Sequence, residues 1–202
     1  MESTLSTEEK IKQAARNVFH QKGFAGTKTR DIAEEAGINL ALLNYYFRSK
    51  QKLFEIIMLE TMKGFMQTIA DSFNDPSTSL QEKVQVVVNK YIDLLLEEPE
   101  IPLFILSEIR QSGSDLVHKM GMKDIIMNSL MIRQYKDHMV QTKREMTHPL
   151  QFFMSLLGMT VFPFIAQPMI TVIGDLNKEQ FQALMEERRE IIPKTVMSML
   201  DN

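Results

Sequence analysis

Hydrophobic residues recur along almost the whole chain at the three- and four-residue spacing of amphipathic α-helices. The longest such run starts at Lys50 and continues to Phe73. Its apolar positions are Phe54, Ile57, Met58, Met62, Phe65, Met66, Ile69 and Phe73. No segment alternates apolar and polar residues as a β-strand would. The pattern therefore predicts an all-α protein of about nine helices.

Helix-breaking and capping residues divide this pattern into successive elements. Ser6 and Glu9 have the spacing of a capping box before the first helix. Asp75-Pro76-Ser77 ends the helix from Lys50. The next helices are expected at about Leu80–Leu96 and from Ile101 to the stop at Ser112-Gly113-Ser114. A longer helical region follows at about Asp115–Arg144, with Gly121 as a candidate interruption, and then an apolar helix at His148–Ile173. The last helix runs from a cap at Asp175 or Asn177 to about Leu200, with a kink at Pro193.

The segment from Phe24 to Lys50, FAGTKTRDIAEEAGINLALLNYYFRSK, predicts two short helices joined by a tight turn. Thr27 is a candidate N-cap for the first helix, because its hydroxyl can accept a bond from a free backbone N–H. Gly37 suits the left-handed conformation that ends many helices. Asn39 then caps the second helix, and Ser49 caps the next. This arrangement is typical of a helix-turn-helix, which places its second helix in the DNA major groove.

Helical spacing separates a core side from a free side in this segment. Core positions are expected at Ile32, Ala33, Ala36, Ile38, Leu43 and Phe47. The residues less committed to the core are Leu40, Ala41, Leu42, Asn44 and Tyr45. Lys50 falls in the first turn of the following helix, where its charge opposes the helix dipole. A DNA phosphate beside it would explain this placement, since helix N-termini and lysines both attract phosphate.

Charge is distributed unevenly along the chain. The whole chain of 202 residues has a formal net charge of −3. Residues 1–52 carry nine Lys and Arg against six Asp and Glu, whereas the other 150 residues carry 14 against 20. A basic end on an acidic body favours a polyanionic partner near the N-terminus.

Catalysis and metal binding have little support in the sequence. Cysteine is absent, which excludes disulfides and thiolate metal sites and suits a cytoplasmic protein. The polar N-terminus MESTLSTEEK is not typical of a signal peptide. No glycine-rich phosphate loop is present, and the histidines at 20, 118, 138 and 148 lack metal-ligand spacing. We therefore expect a protein that is not an enzyme and has neither a cofactor nor a metal.

The segment from Pro149 to Ile173 contains no charged residue and is long enough to cross a membrane. It also contains Pro163 and Pro168, and no cluster of Lys or Arg flanks it. A buried or interface helix explains this composition better than a membrane span.

The helix-turn-helix segment resembles the TetR family of transcriptional repressors from about residue 7 to 60. The matching elements are Gly26-Thr27, Thr29, Asp31-Ile32-Ala33, Ala36-Gly37-Ile38, Leu43, Tyr45-Tyr46-Phe47 and Ser49-Lys50. The resemblance implies a DNA-binding domain over residues 1–50 and an effector-binding and dimerisation domain over residues 51–202. Ala41, Leu42 and Asn44 depart from residues common in the family, so the operator sequence does not follow from the resemblance.

The resemblance also implies roles for individual residues. Arg30 and Asn44 would read base edges, since arginine can bond guanine and asparagine adenine. Leu40, Ala41 and Leu42 would offer apolar contacts to thymine methyl groups. The remaining DNA-binding candidates are Asn39 at the start of the reading helix and the phosphate contacts Thr29, Tyr45, Tyr46 and Lys50. Alternatively, Tyr46 packs against the protein, and Arg30 is a solvated surface charge or pairs with Glu34.

By the same resemblance, the last two helices form a homodimer interface, and a small molecule bound in the body releases a palindromic DNA operator. The last helix carries Phe181, Leu184, Met185, Ile192, Val196 and Met199. Methionines adapt to varied ligands, and those considered for an effector pocket are Met120, Met122, Met127, Met131, Met139, Met154 and Met159. The ligand-binding candidates are Met127, Met131, Tyr135, His138, Met159 and Gln167, with Asn128 as a further polar group.

Three functions are consistent with the sequence. The first is a ligand-responsive dimeric repressor, and the second is a constitutive DNA-binding protein or activator of the same fold. The third is a helical interaction or membrane-surface protein without a DNA function. Small-molecule release separates the first two, and operator binding separates both from the third.

Overall fold

The computed structural model describes residues 5–112, 118 and 121–201. Over these residues it contains eleven α-helices and no β-strand, which confirms the all-α class. The helices are α1 (Thr7–Gly26), α2 (Thr29–Glu35), α3 (Leu40–Phe47), α4 (Lys50–Asn74), α5 (Leu80–Glu97), α6 (Ile101–Ser112), α7 (Met122–Met127), α8 (Leu130–Gln141), α9 (Pro149–Ile165), α10 (Gln167–Gly174) and α11 (Lys178–Asp201). Met120 and most of the residues predicted as helical between Asp115 and Gly121 lie outside the described ranges.

The chain divides within α4 into two compact units, of which the first ends at Lys63 and the second begins at Gly64. The first unit therefore contains α1, α2, α3 and the start of α4. Its α1 begins as predicted, because Ser6 Oγ accepts a hydrogen bond from the Glu9 N–H at 3.2 Å. The buried core of this unit contains Ile11, Ala14, Ala15, Val18, Phe19, Ile32, Ala33, Leu43, Phe47, Leu53, Phe54, Ile57, Met58 and Met62.

A buried lysine also links α1 to α4 inside the first unit. Lys12 Nζ lies 2.8 Å from Glu60 Oε1 and 2.6 Å from Glu9 Oε1. Hydrogen bonds to Glu60 and then to Glu9 raise the pKa of Lys12. Its charge is consequently paired inside the fold and is not offered to an external anion.

Helix α5 lies at the centre of the second unit, where it contacts α8, α9 and α11. A capping box starts it: Ser79 Oγ accepts from the Glu82 N–H, and the Glu82 carboxylate accepts from the Ser79 N–H. The Ser79 N–H and the Ser79 hydroxyl both donate to the Glu82 carboxylate at 2.7 Å, and these bonds lower the pKa of Glu82. The inward side chains of α5 are Leu80, Lys83, Val84, Val87, Val88, Tyr91, Ile92 and Leu95.

Two predicted helices are each divided in the structure. The region up to Arg144 contains a break at Asn128-Ser129 between α7 and α8, so the prediction of one helix with Gly121 as its only candidate interruption was wrong. The apolar segment begins and ends as predicted, but α9 and α10 are bent from each other by 70° around Ala166. These divisions account for eleven described helices instead of about nine.

Both helix-interior prolines in the second unit leave a carbonyl that a side chain from another helix binds. Proline has no N–H, so it cannot donate to the carbonyl four residues earlier. For Pro163 that carbonyl belongs to Met159, and Arg188 Nη2 donates to it at 2.5 Å. For Pro193 it belongs to Arg189, and Gln85 Nε2 donates to it at 2.8 Å. The helical assignment continues through both prolines.

Within the described ranges, no helix taken alone has the length and apolar character needed to cross a membrane. The bent pair α9 and α10 passes this test only when both helices are counted together. Many of the α9 side chains are buried, among them Phe152, Phe153, Leu156 and Phe164. This burial agrees with a core role for α9.

Candidate nucleic-acid interface

Helices α2 and α3 are joined by a turn that the sequence dictates locally. Gly37 adopts a φ of 66°, in the left-handed region where glycine carries no steric penalty. The Gly37 N–H donates to the Glu34 carbonyl at 3.1 Å, and the Ile38 N–H donates to the Ala33 carbonyl at 3.0 Å. These bonds end α2 as predicted and direct the chain into α3.

The start of α2 differs from the prediction. Lys28, not Thr27, is the N-cap residue, and Asp31 Oδ2 accepts from the Lys28 N–H at 2.9 Å. This bond to the backbone, and after it the nearby Lys22, lower the pKa of Asp31. Thr27 is buried, and its hydroxyl donates instead to the Gly23 carbonyl at 2.7 Å. Its hydroxyl therefore stabilises the end of α1 instead of capping α2.

Helix α3 starts at the predicted cap. Asn39 Oδ1 accepts from the Leu42 N–H at 2.8 Å, which satisfies a free donor of the first turn. Leu43 and Phe47 are buried and fix the inner side of the helix. The opposite side is therefore held in place while the Asn44 and Tyr45 side chains stay exposed.

The free side of α3 carries most of the residues predicted to contact DNA. Ala41, Asn44 and Tyr45 are exposed, and Leu40 and Leu42 are half-buried. Tyr45 is 80% exposed and Tyr46 is 40% exposed, so neither ring is mainly packed into the core. Their ring centroids lie 5.5 Å apart in an edge-to-face arrangement. The structure thus gathers apolar, amide and phenol groups on one short surface.

The predicted residues on α2 and α4 have different surroundings. Thr29 is half-buried at the first position of α2. Arg30 is exposed, and among the described residues it has no hydrogen-bonded or ion-paired partner, including Glu34. Lys50 is half-buried, and its Nζ donates to the backbone carbonyls of Phe24 at 2.7 Å and Thr27 at 2.8 Å.

Two further basic residues flank the reading helices and were missed from the sequence. Lys28 is exposed at the start of α2, and Arg48 is exposed directly after α3 with a φ of 58°. A basic residue next to each helix end was the available signal. Both side chains are accessible to a phosphate beside the helix-turn-helix.

The predicted effector residues do not converge on one open cavity. Met131 and Tyr135 lie one turn apart on α8 and have no exposed surface. Tyr135 stacks on Phe152, and its hydroxyl lies 2.8 Å from Thr147 Oγ1. Both residues are packed on all sides, so an effector reaches them only if that packing changes.

The other effector candidates lie at separate places in the second unit. His138 Nε2 lies 3.1 Å from Asp201 Oδ1 and borders an open groove of about 490 Å³. Met127 and Met159 are half-buried on α7 and α9, and Gln167 is half-buried at the start of α10. Among the residues described, no group of His, Asp or Glu side chains is arranged to hold a metal ion.

Comparison with known proteins agrees with this arrangement. Residues 11–57 match the family described as "Bacterial regulatory proteins, tetR family". The chain is 29% identical over 172 residues to the probable HTH-type transcriptional regulator YttP of Bacillus subtilis, covering 84% of this chain and 82% of YttP. It is 30% identical over 110 residues to the HTH-type transcriptional repressor NicS of Pseudomonas putida, covering 53% of this chain and 50% of NicS.

A solved structure extends the likeness over almost the full length. The transcriptional regulator FadR of Bacillus subtilis, in complex with stearoyl-CoA, matches with a TM-score of 0.58 at 19% identity. The match covers 91% of this chain and 96% of FadR. At this level of identity the match establishes the shared fold.

Proposed function

This chain belongs to the TetR family of transcriptional regulators, and from that premise we propose how it acts. It is a dimeric repressor that binds a palindromic operator in the cytoplasm and leaves it when a small apolar or amphipathic molecule binds. One observation carries the proposal. The capped helix α3 buries Leu43 and Phe47 and exposes Ala41, Asn44 and Tyr45 on its other side.

The proposed base contacts come from exposed or half-buried side chains that remain able to bind. Arg30 and Asn44 have the donors and acceptors to read guanine and adenine in the major groove. Leu40, Ala41 and Leu42 supply apolar surface for thymine methyl groups. Thr29, Tyr45 and Tyr46 set the register through phosphates. Asn39 keeps only its Nδ2 group for DNA, because its Oδ1 caps α3.

We assign the dimer interface to exposed apolar residues of the last helices. One reading helix has limited contact area, and a two-fold dimer doubles it on a palindromic site. Phe181, Met185, Ile192 and Val196 on α11 were among the residues considered for this interface from the sequence, but all four are buried inside the chain. The exposed apolar residues of α9, α10 and α11 include Phe162, Met169, Val172, Ile173, Leu184, Ile191 and Met199, and on α9 also Leu150 and Met154.

The composition of the second unit and the ligand of FadR support the proposed effector class. FadR binds stearoyl-CoA, a ligand with a long apolar tail. The apolar interior of this chain, rich in methionine, suits the same class of molecule. Such an effector must bind the form that has left DNA more tightly than the form on DNA.

The test is a selection of random duplexes with the purified protein, followed by competition binding of wild type and Asn44→Ala. Gln13→Ala, at an exposed polar position on α1, is the matched control. We expect Asn44→Ala to weaken the selected site by about 5- to 150-fold, the range of one lost base contact, and Gln13→Ala to bind like wild type. Failure to select any sequence would contradict the proposal.

Adding fatty acyl-CoA to the wild-type complex then tests release from DNA. A complex that resists every such ligand would favour a constitutive regulator.

A further inference from the structure

Lys50 uses its ammonium group inside the protein. Nζ donates to the carbonyl oxygens of Phe24 and Thr27 and lies 4.3 Å from the centroid of the Phe24 ring. A lysine in the first turn of a helix opposes the helix dipole. The two carbonyls and the Phe24 ring compensate for this placement from within the protein.

The bound carbonyls lie where α1 ends. The last carbonyls of a helix have no intrahelical donors, and α1 is further disrupted by Gly23, with φ 65° and ψ 169°. Thr27 Oγ1 binds the Gly23 carbonyl at 2.7 Å, and Lys50 binds those of Phe24 and Thr27. Two side chains therefore determine the path of the chain between α1 and α2.

Aromatic packing also holds the same segment. The Phe24 ring lies 4.7 Å from that of Phe54, and Phe54 lies 5.1 Å from Phe19. Phe54 is one turn after Lys50 on α4, so α4 contacts Phe24 through an apolar and a charged group together. The compact ammonium fits two carbonyls and a ring face, whereas the planar fork of arginine requires a different geometry.

These contacts connect the two ends of the helix-turn-helix. Thr27 comes directly before the cap of α2, and Lys50 follows α3 after only Arg48 and Ser49. We propose that Lys50 is a positioning residue, which fixes the start of α2 relative to the end of α3 and so sets the geometry of the DNA-reading pair. This inference rests on the proposed function and replaces the phosphate contact predicted for Lys50.

A salt series separates positioning from phosphate contact. Each phosphate contact releases counterions and contributes about 0.9 to the slope of log affinity against log salt. Lys50→Met keeps the apolar stem and removes the donors, and Lys50→Arg keeps the charge. Lys52→Met is the matched control, because the Lys52 side chain is 62% exposed and lies 3.5 Å from Glu55. Binding is measured for the selected site and for a random duplex, at a temperature where circular dichroism shows every variant folded.

Positioning predicts that Lys50→Met and Lys50→Arg both lose at least tenfold in affinity for the selected site. Their salt slope and their affinity for random DNA stay at the wild-type values, as does all binding by Lys52→Met. A lower slope in Lys50→Met, with a parallel loss on random DNA and near wild-type binding by Lys50→Arg, would overturn the inference in favour of a phosphate contact.

Amide hydrogen exchange without DNA tests the same inference independently. The Asp31 and Ile32 N–H groups both donate to the Lys28 carbonyl in the first turn of α2. We expect Lys50→Met to accelerate their exchange at least tenfold and to leave the Val84 and Val88 amides of α5 unchanged. Unchanged exchange at Asp31 and Ile32 would overturn the positioning role. If wild type selects no DNA sequence, the proposed function fails, and this measurement still decides the role of Lys50.

Discussion

Gly37 and Gly64 are two glycines with contrasting backbone conformations. Gly37 has a φ of 66°, whereas Gly64 lies in the interior of α4. A Cβ added at either position would meet no atom within 4 Å, so any effect of alanine comes from the backbone. The left-handed conformation costs an L-residue about 1–2 kcal/mol, and glycine inside a helix is about 1 kcal/mol less favourable than alanine.

We therefore expect Gly37→Ala to lower the free energy of unfolding by about 1 kcal/mol and Gly64→Ala to raise it by roughly 0.5–1 kcal/mol. Urea titration followed by circular dichroism measures both changes. Gly37→Asn is the control, because asparagine tolerates positive φ better than alanine and should lose less stability. Changes of the same sign at positions 37 and 64 would contradict this backbone explanation.

Single residues were predictable from the sequence where their partners are close in the chain. Asn39, Ser49 and Asn177 each accept from an N–H three residues later, as predicted. The partners of Lys50 lie 26 and 23 residues away, and no spacing rule anticipates them. Thr27 was assigned to the wrong helix because the carbonyls at the end of α1 compete for its hydroxyl.

At the scale of elements, the sequence predicted where amphipathic helices run but not where long-range contacts divide them. Helix α5 was expected at about Leu80–Leu96 and is found at Leu80–Glu97. The start of α8 was missed although a local signal exists, because Ser129 Oγ caps this helix by accepting from the Ile132 N–H at 3.3 Å. The Leu130 N–H also binds Asn74 Oδ1 at the end of α4, a contact that the sequence does not indicate. Pro163 was visible in the sequence, but α9 continues through it to Ile165 before the bend at Ala166.

We expect the hydrogen bond from α5 to α11 to couple Gln85 and Pro193 energetically. Gln85 Nε2 donates to the Arg189 carbonyl. Pro193, four residues later, has no N–H to donate to that carbonyl. Arg189 in turn donates to the Asn89 carbonyl at 2.9 Å and to Asp93 at 2.7 Å. Gln85→Ala leaves a half-buried carbonyl unpaired, at a cost of about 1–3 kcal/mol.

Pro193→Ala supplies the missing N–H, so the same Gln85→Ala change should cost less in that background. We expect a coupling energy of about 1 kcal/mol between the two substitutions, within the range for residues that share a partner. Urea unfolding of wild type, both single variants and the double variant gives this value. Additive effects would show that Gln85 stabilises α11 by packing alone.

The whole molecule combines a basic N-terminal unit with an acidic body that still exposes large apolar side chains. Residues 1–52 carry a formal charge of +3 and the remaining residues −6. This polarity orients the first unit toward DNA. The apolar side chains exposed on α9, α10 and α11 need a different explanation, because exposed apolar clusters mark interaction sites.

A dimer formed through these helices predicts that a charge at Phe162 separates the protomers. Phe162 lies on α9 and is 55% exposed, and Leu103, on α6 and outside the proposed interface, is 54% exposed. Phe162→Glu should shift sedimentation velocity at micromolar concentration from dimer to monomer, because two like charges would be buried near the two-fold axis. Leu103→Glu adds the same charge at matched exposure and should remain a dimer.

The same pair of variants connects assembly to DNA binding. A monomer holds one half-site, so Phe162→Glu should lose at least tenfold in affinity for the selected palindrome, and its salt slope should fall toward half because half the phosphates are contacted. Its affinity for an isolated half-site should match that of wild type, since α3 is unchanged. A dimeric Phe162→Glu would move the interface away from α9. A monomeric variant with full affinity for the palindrome would instead show that each protomer binds its half-site without help from the other.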